Sequence, residues 1–494
     1  MQSAVPHSAD SEELINHGRR EKASRSPTDS DLTTGLRATE RIARLLNQFL
    51  FASLLTVIII AAIPYGTVEP WWKAAFVCLV FSLWILGTIE DLLSPLRKGL
   101  DKWLFMPLFA LVAFALLQSF PLGVRSHPAI PQQVWNAISA DPYQTQFFAS
   151  QLLAITFVGA LLSRYVTSDR RLRALIIAVI AVAVMSAIFG VVRQTNQHGL
   201  GFGLPLLSPG RGYGQFINPN HFALLMEMAF GLILGIVLAS NTKREGLLVY
   251  GAMLLIVWTA LVLANSRGGL LTMMVQILAA GLLHTAVVPA SKASGMRRRV
   301  SAALRSLPAR ILLLVVLLLG VVAGTLWIGG DRLASRFEDL SGGVNSAETR
   351  SGGSRNEIWR ATWLMFKANP IAGVGLGGYW AAITEYHDAS GSLTPQEAHN
   401  DYLELLASGG IVGACLGGWF LLVLGRRIRS HIPSSNSFRR GARFGALLGI
   451  IGVLTHSLFD FGLHMLVNAF VFAALIVIAT SDTHSEHRLR RSNA

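Results

Sequence analysis

The residues best suited to chemistry are one histidine and a few arginines placed between long apolar blocks. His399 stands in Ala398-His399-Asn400-Asp401, preceded by Thr394-Pro395-Gln396-Glu397. The second segment has the form of a capping box with proline at the first helical position, which predicts a helix starting there with His399 in about its first turn. A helix N-terminus disfavours the protonated imidazole. A neutral imidazole at a membrane surface can take a proton as a general base. A lone histidine is more often a structural or surface residue, and on spacing alone that reading stays open.

The arginines offer a complementary chemistry. Arg267 lies in Ser266-Arg267-Gly268-Gly269, between two apolar blocks with almost no loop. Such an arginine either faces a polar cavity or snorkels from a tight turn. Arg211 lies in the glycine-rich Pro209-Gly-Arg211-Gly-Tyr-Gly-Gln-Phe-Ile-Asn-Pro-Asn220-His221, where Asn220 is a second polar candidate. Ser354-Arg-Asn-Glu357 is another capping box, and the helix it opens runs to Asn369-Pro370. Arg355, Trp359 and Trp363 follow one another at i, i+4 and i+8, so they share a face, while Arg360 points elsewhere. That face reads either as a surface for phosphate and sugar or as tryptophans packing the helix on the membrane domain. Arg193 ends an earlier apolar block. Guanidinium forks suit phosphate oxygens, so this set predicts an anionic ligand.

Other features carry less. Gly373-Val-Gly375-Leu-Gly-Gly378 matches G-x-G-x-x-G but has no βαβ unit around it, so no nucleotide site is expected. Glu227 lies about two turns into an apolar block and needs a partner, for which one of the arginines is the simplest choice. His456, Asp460 and His464 fall short of a metal set, so a polar helix contact is expected. Cys78 and Cys415 both sit inside apolar blocks, which excludes a disulfide framework.

These residues must be positioned by a membrane domain. Of 494 residues 52% are apolar and only 14% charged, which excludes an ordinary water-soluble enzyme. The net charge of +14 is read as loop charge of a membrane protein and not as a nucleic-acid footprint. Blocks long enough to cross the hydrocarbon fall at 46–64, 71–89, 103–121, 147–163, 172–192, 221–239, 246–264, 268–288, 310–329, 402–424, 441–460 and 463–480. The expected fold is an all-α polytopic membrane protein of about twelve transmembrane helices. Arg19–Arg25, Arg164–Arg173, Arg297–Arg299, Arg426–Arg443 and Arg488–Arg491 all fall on one side, so both termini are expected to be cytoplasmic. The organisation is then a disordered tail at 1–45, nine helices over 46–329, a large outer loop at 330–401, three helices over 402–480 and a tail at 481–494. No cleavable signal peptide is expected, the first apolar block being itself a span.

In order along the chain come the Gly-Arg…Asn-Pro-Asn loop, Ser-Arg-Gly at a span start, Arg-x-x-x-Trp with Asn-Pro-x-x-Gly-x-Gly, and Ala-His-Asn followed by Gly409-Gly410. This series resembles the bacterial O-antigen ligase and O-antigen polymerase superfamily. The resemblance implies a GT-C-like fold with a large helical periplasmic loop that is catalytic, in the inner membrane. It implies an inverting glycosyltransferase that needs no metal or other cofactor. The donor would be a glycan on undecaprenyl diphosphate and the acceptor a lipid-linked glycan or a lipid A–core sugar. The family's histidine matches His399, and its arginines match Arg211, Arg267 and Arg355, with Arg193 and Arg360 as further matches. Asn220 and Asn400 lie within the same motifs. The alternative that the residues leave open is a secondary transporter of an anionic solute, which would place its charged groups near the membrane midplane.

Overall fold

In the computed structural model, residues 27–93, 101–121, 124–127, 130–135, 137–195, 212–287, 315, 355–388, 394–432, 434 and 436–481 are described. Their main helices are α1 (Pro27–Gly66), α2 (Pro70–Leu93), α3 (Lys102–Gln118), α4 (Pro142–Tyr165), α5 (Asp169–Thr195), α6 (Pro219–Ala239), α7 (Arg244–Leu263), α8 (Arg267–Val287), α9 (Arg355–Ala368), α10 (Asp401–His431), α11 (Ser437–His456) and α12 (Leu466–Thr480). Eight of them are long and apolar enough to cross a bilayer, and α3 and α12 are shorter apolar helices. α11 carries Arg439, Arg440 and Arg443 in its first two turns, all buried. The protein is a multi-pass membrane protein.

The centre is the contact between α6 and α11. α6 carries Gly231 and Gly235, and α11 carries Gly441, Gly445 and Gly449, each at a spacing of four. A Cβ on Gly235 would overlap the backbone of Phe444 and Gly445, and one on Gly445 would overlap Leu232. Without hydrophobic drive between helices in lipid, such small-residue seams allow the close backbone contact that holds them together. α6 is accordingly enclosed, with 83% of its apolar window buried against 22% for α7. Gln276 of α8 bridges the seam, its Nε2 donating to the carbonyls of Glu227 at 2.9 Å and Leu448 at 3.1 Å.

The helix ends sort into two faces. On one, Arg164 pairs with Asp91 and Glu90, Arg427 with Asp101 at 2.7 Å, and Arg439 with Asp169 at 2.6 Å. Among the described residues, the basic clusters at 164–173 and 426–443 therefore meet on a single face. The opposite face holds the connections that carry the candidate site residues.

On that opposite face α10 is broken. Gly410 has φ +62° and ψ −162°, which frees backbone groups that a helix would normally pair. The segment after Pro370 runs into the break and pairs with them. Ile411 N–H donates to the Pro370 carbonyl at 2.8 Å, and Gly375 N–H donates to Ser408 at 2.9 Å. Buried Gln118 completes the set, donating to the carbonyls of Ala372 and Ser408 and accepting from Leu376 N–H. The glycines of Gly373–Gly378 serve this wedge: a Cβ on Gly373 would overlap Ser408, and one on Gly377 would overlap Gln144. Irregular backbone at membrane depth is tolerated where it is buried in protein in this way.

Four expectations change. No helix starts at Thr394; residues 394–400 are irregular and α10 begins at Asp401. Asn400 is the N-cap, its Oδ1 accepting from Tyr402 and Leu403 N–H, so His399 precedes the helix. α1 starts at Pro27, inside the segment expected to be a disordered tail. Among the described residues a two-stranded antiparallel hairpin, β1 (Val124–His127) with β2 (Ile130–Trp135), stands among the helices. The block at 310–329 and the first part of the outer loop lie outside the described residues, apart from residue 315.

The glycine seam gives a direct test. Gly235→Val forces a branched side chain into the α11 backbone and is expected to lower the yield of monodisperse protein in fluorescence-detected size-exclusion chromatography several-fold. Gly251→Ala, where the added methyl meets nothing within 4 Å, is the matched control and is expected to express as wild type.

Candidate active site

The site forms where the starts of α6, α8 and α10 meet the loop after α11. His399 is held in a left-handed conformation, φ +51°, unusual for a residue with a side chain. Its Nδ1 lies 3.1 Å from Asp460 Oδ1. The His399 side chain is one-third exposed, at 33%, while Asp460 is at 1%. Asp460 sits in the turn that leaves α11, its N–H donating to the His456 carbonyl at 3.1 Å. Burial would raise the Asp460 carboxyl, but the hydrogen bond from His399 and the nearby His221 and His456 outweigh burial. Together they hold the group well below the usual carboxylate range. An ionised carboxylate only accepts, so the Nδ1 of His399 carries the proton. In the neutral imidazole Nε2 then presents the lone pair, the tautomer a base requires.

Three histidine rings surround Phe461, the next residue. His221, His399 and His464 meet its ring at centroid distances of 4.7, 4.9 and 5.6 Å, all edge-on. His221 Nε2 lies 4.0 Å from the second oxygen of Asp460. His464 sits 3.6 Å from Glu404 and 4.0 Å from both Glu397 and Asp401. Burial, with the charge of Lys73 and the neighbouring His221, pushes the His464 imidazole down to about 4. Burial raises Glu397 to about 7, against the opposing pull of His399 and Lys73. Among the described residues no group of three or more His, Cys, Asp or Glu is arranged to hold a metal ion.

Arg267 is the first residue of α8 and is exposed. Its turn is fixed by Ser266, whose hydroxyl accepts from Gly269 N–H at 3.1 Å and donates to Asn220 Oδ1 at 2.8 Å. The Asn-Pro-Asn start of α6 and the Ser-Arg-Gly start of α8 are therefore one structural unit. Gly268 packs beside His456 and Phe459, which brings the Arg267 turn to the loop that holds Asp460. Arg355, at the start of α9, is also exposed, and one turn later the indole N–H of Trp359 donates to the Ala398 carbonyl at 2.9 Å. Among the described residues neither Arg267 nor Arg355 has an acidic partner.

The other candidates are placed differently. Arg211 lies outside the described residues. Arg193 is buried and donates to the Gly214 carbonyl at 3.0 Å, supporting the glycine-rich loop from beneath. Arg360 is exposed, and Asn400 caps α10. Trp363 stays 45% exposed, so of the expected tryptophan face only Trp359 docks. Glu227 pairs with His456 Nδ1 at 2.8 Å, both side chains buried, and not with an arginine as expected.

Sequence reading missed Asp460 as the partner of His399. The available signal was a lone carboxylate in an apolar run, Leu458-Phe459-Asp460-Phe461, which membrane energetics rarely tolerates without purpose.

Residues 251–418 match the family model described as O-antigen ligase, and the match supports the O-antigen ligase and polymerase superfamily for this chain. The matched segment contains Arg267, Arg355 and His399, while Asp460 lies beyond it. Comparison with curated proteins found no match.

The raised Glu397 carboxyl makes stability depend on pH. Its ordinary value is 4.5 and its folded value about 7, so the stability it contributes is complete below pH 4.5 and is lost as pH rises through 7. Glu397→Gln removes the titration, and its melting temperature in detergent is expected to exceed that of wild type at pH 8 and to match it near pH 5.

Proposed function

We propose that the chain is an inverting, metal-independent membrane glycosyltransferase that moves a glycan from undecaprenyl diphosphate to an acceptor hydroxyl at the periplasmic face. This is chemistry of the O-antigen ligase or polysaccharide polymerase type. The observation that carries it is the His399–Asp460 pair beside the arginine turn of α8. His399 Nε2 takes the proton of the acceptor hydroxyl. The acceptor oxygen attacks the anomeric carbon as the bond to the diphosphate oxygen breaks, and that bonding pair leaves with the diphosphate. One displacement inverts the anomeric configuration.

Arg267 and Arg355, with Arg211, neutralise the charge that grows on the leaving diphosphate. Preorganised donors of this kind act most strongly in a site shielded from water. Asp460 keeps His399 in the base tautomer and stabilises the imidazolium that forms. Asn220 acts through Ser266, Asn400 through the start of α10, and Arg193 through the glycine-rich loop. Arg360 remains a candidate for the glycan side. In this reading the basic face is cytoplasmic, as are both termini, within an inner-membrane GT-C-like fold of twelve spans. The partners are the lipid-linked donor, a glycan or lipid A–core acceptor and the bilayer itself. His399, Asp460, Arg267 and Arg355 lie at helix ends or in the turns beside them and not at helix midpoints, which favours transfer over secondary transport.

The test is turnover by the reconstituted chain with lipid-linked glycan donor, in buffer containing excess EDTA. Wild type is expected to turn over, and His399→Ala to lose about 10²–10⁴-fold in kcat; retained turnover in that variant would remove the base. Arg267→Lys is expected to lose about 10²-fold, nearly as much as Arg267→Ala, because a fork on phosphate is not replaced by a point charge. A fully active lysine variant would reduce Arg267 to a simple charge.

A further inference from the structure

Ala398 lies under an unusual constraint. Both of its backbone polar groups are taken by side chains, from two different helices. Its N–H donates to Glu404 Oε2 of α10 at 2.8 Å, and its carbonyl accepts the indole N–H of Trp359 of α9 at 2.9 Å. The side is fully buried at Ala398, so water does not compete for these bonds. The two peptide planes that flank Ala398 are thus both pinned. The second of them is the plane whose rotation sets φ of His399.

The residues after His399 are pinned as well. Asn400 caps α10 with its side chain, and Asp401 N–H donates to the Ser457 carbonyl at 2.9 Å while its carboxylate accepts from the Ser457 hydroxyl at 2.7 Å. Ser457 opens the turn that carries Asp460. His399 is therefore the one residue between two fixed stretches, and it takes up the mismatch as a left-handed φ of +51°. A β-carbon disfavours this conformation, so it persists only while its neighbours hold it. That φ is what directs the imidazole to Asp460.

We propose that Trp359 and Glu404 are positioning residues that hold the peptides flanking Ala398 and thereby aim the His399 imidazole at Asp460. The inference rests on the reading of His399 as the base. It adds a function to α9: because Arg355 stands one turn before Trp359 on the same face, the Trp359 hydrogen bond also sets the register between an arginine of the site and the base. The hydrogen bond of Trp359 to Ala398 joins the outer-loop helix to the segment of the base.

Trp359→Phe deletes the indole N–H and keeps an aromatic ring in the same place. In the reconstituted full-length chain, with lipid-linked glycan extracted from the host membranes as donor, kcat is expected to fall at least tenfold while KM for donor changes less than twofold. Folding yield is expected to stay at the wild-type level. Glu404→Gln retains an acceptor oxygen and is expected to keep most of kcat, whereas Glu404→Ala is expected to lose it, so the proposal does not depend on one variant. A cycle of Trp359→Phe with Asp460→Asn adds a readout that a merely structural role would not move. Both changes act on one imidazole, so the double variant is expected to lose far less than the product of the single losses. Unchanged kcat in Trp359→Phe, or independent losses that multiply in the cycle, overturns the proposal while an inactive His399→Ala leaves the base reading intact. An active His399→Ala defeats the base reading itself, whatever the tryptophan does.

Discussion

The close approach of α6 and α11 is the constraint on which the remaining arrangement rests. In a bilayer the helices gain no hydrophobic free energy by meeting, because lipid tails solvate them as well as another helix does. Contact has to come from dense backbone packing and from the few polar bridges that lipid cannot offer. The glycines at Gly231, Gly235, Gly445 and Gly449 allow the first, and Gln276 with the buried Glu227–His456 pair provides the second. The start of α6 and the end of α11 are consequently fixed against each other. Those two ends carry Asn220 and His221 on one side and Asp460 on the other.

The chemistry is then assembled from chain segments far apart in sequence. α8 reaches the site because its first turn is bonded to Asn220 and its glycines fit beside Ala223, Glu227 and His456. α10 reaches it because its first turn is bonded to Ser457. The break at Gly410 matters here. It separates the first two turns of α10, which belong to the site, from the longer stretch that runs to the basic face. Gln118 and the segment after Pro370 pay the hydrogen bonds that the break leaves open, so a bent helix is kept rigid and not frayed.

Electrostatics divides the molecule in the same sense. On the basic face Arg164, Arg427 and Arg439 pair with Asp91, Asp101 and Asp169, which fixes helix ends. On the site face Arg267 and Arg355 have no acidic partner among the described residues, while the carboxylates Glu397, Asp401, Glu404 and Asp460 are gathered around histidines. Guanidinium groups are presented and the acidic side chains are turned inward, which is the arrangement the proposed handling of an anionic leaving group calls for.

The linear chain by itself determined the membrane class, the shared face of the basic clusters at 164–173 and 426–443, the helix at 355–368 and the motifs that hold His399, Arg267 and Arg355. These are properties of block length, charge and short spacing, and lipid reads them one segment at a time. The resemblance to the O-antigen ligase family was legible in the same motifs. Only the tertiary structure decided the pairing of His399 with Asp460, which stand 61 residues apart. It also gave Glu227 its histidine partner, turned the Gly373–Gly378 run into a packing wedge, and moved the helix start from Thr394 to Asp401. In the last case Asn400 and not Thr394 is the cap, and Trp359, Glu404 and Ser457 hold the chain around it, contacts that no local pattern contains. The physical reason is common to all four. A buried polar group in a membrane protein must find a partner, and which partner lies within reach is set by how the helices pack, not by the residues next to it in the chain.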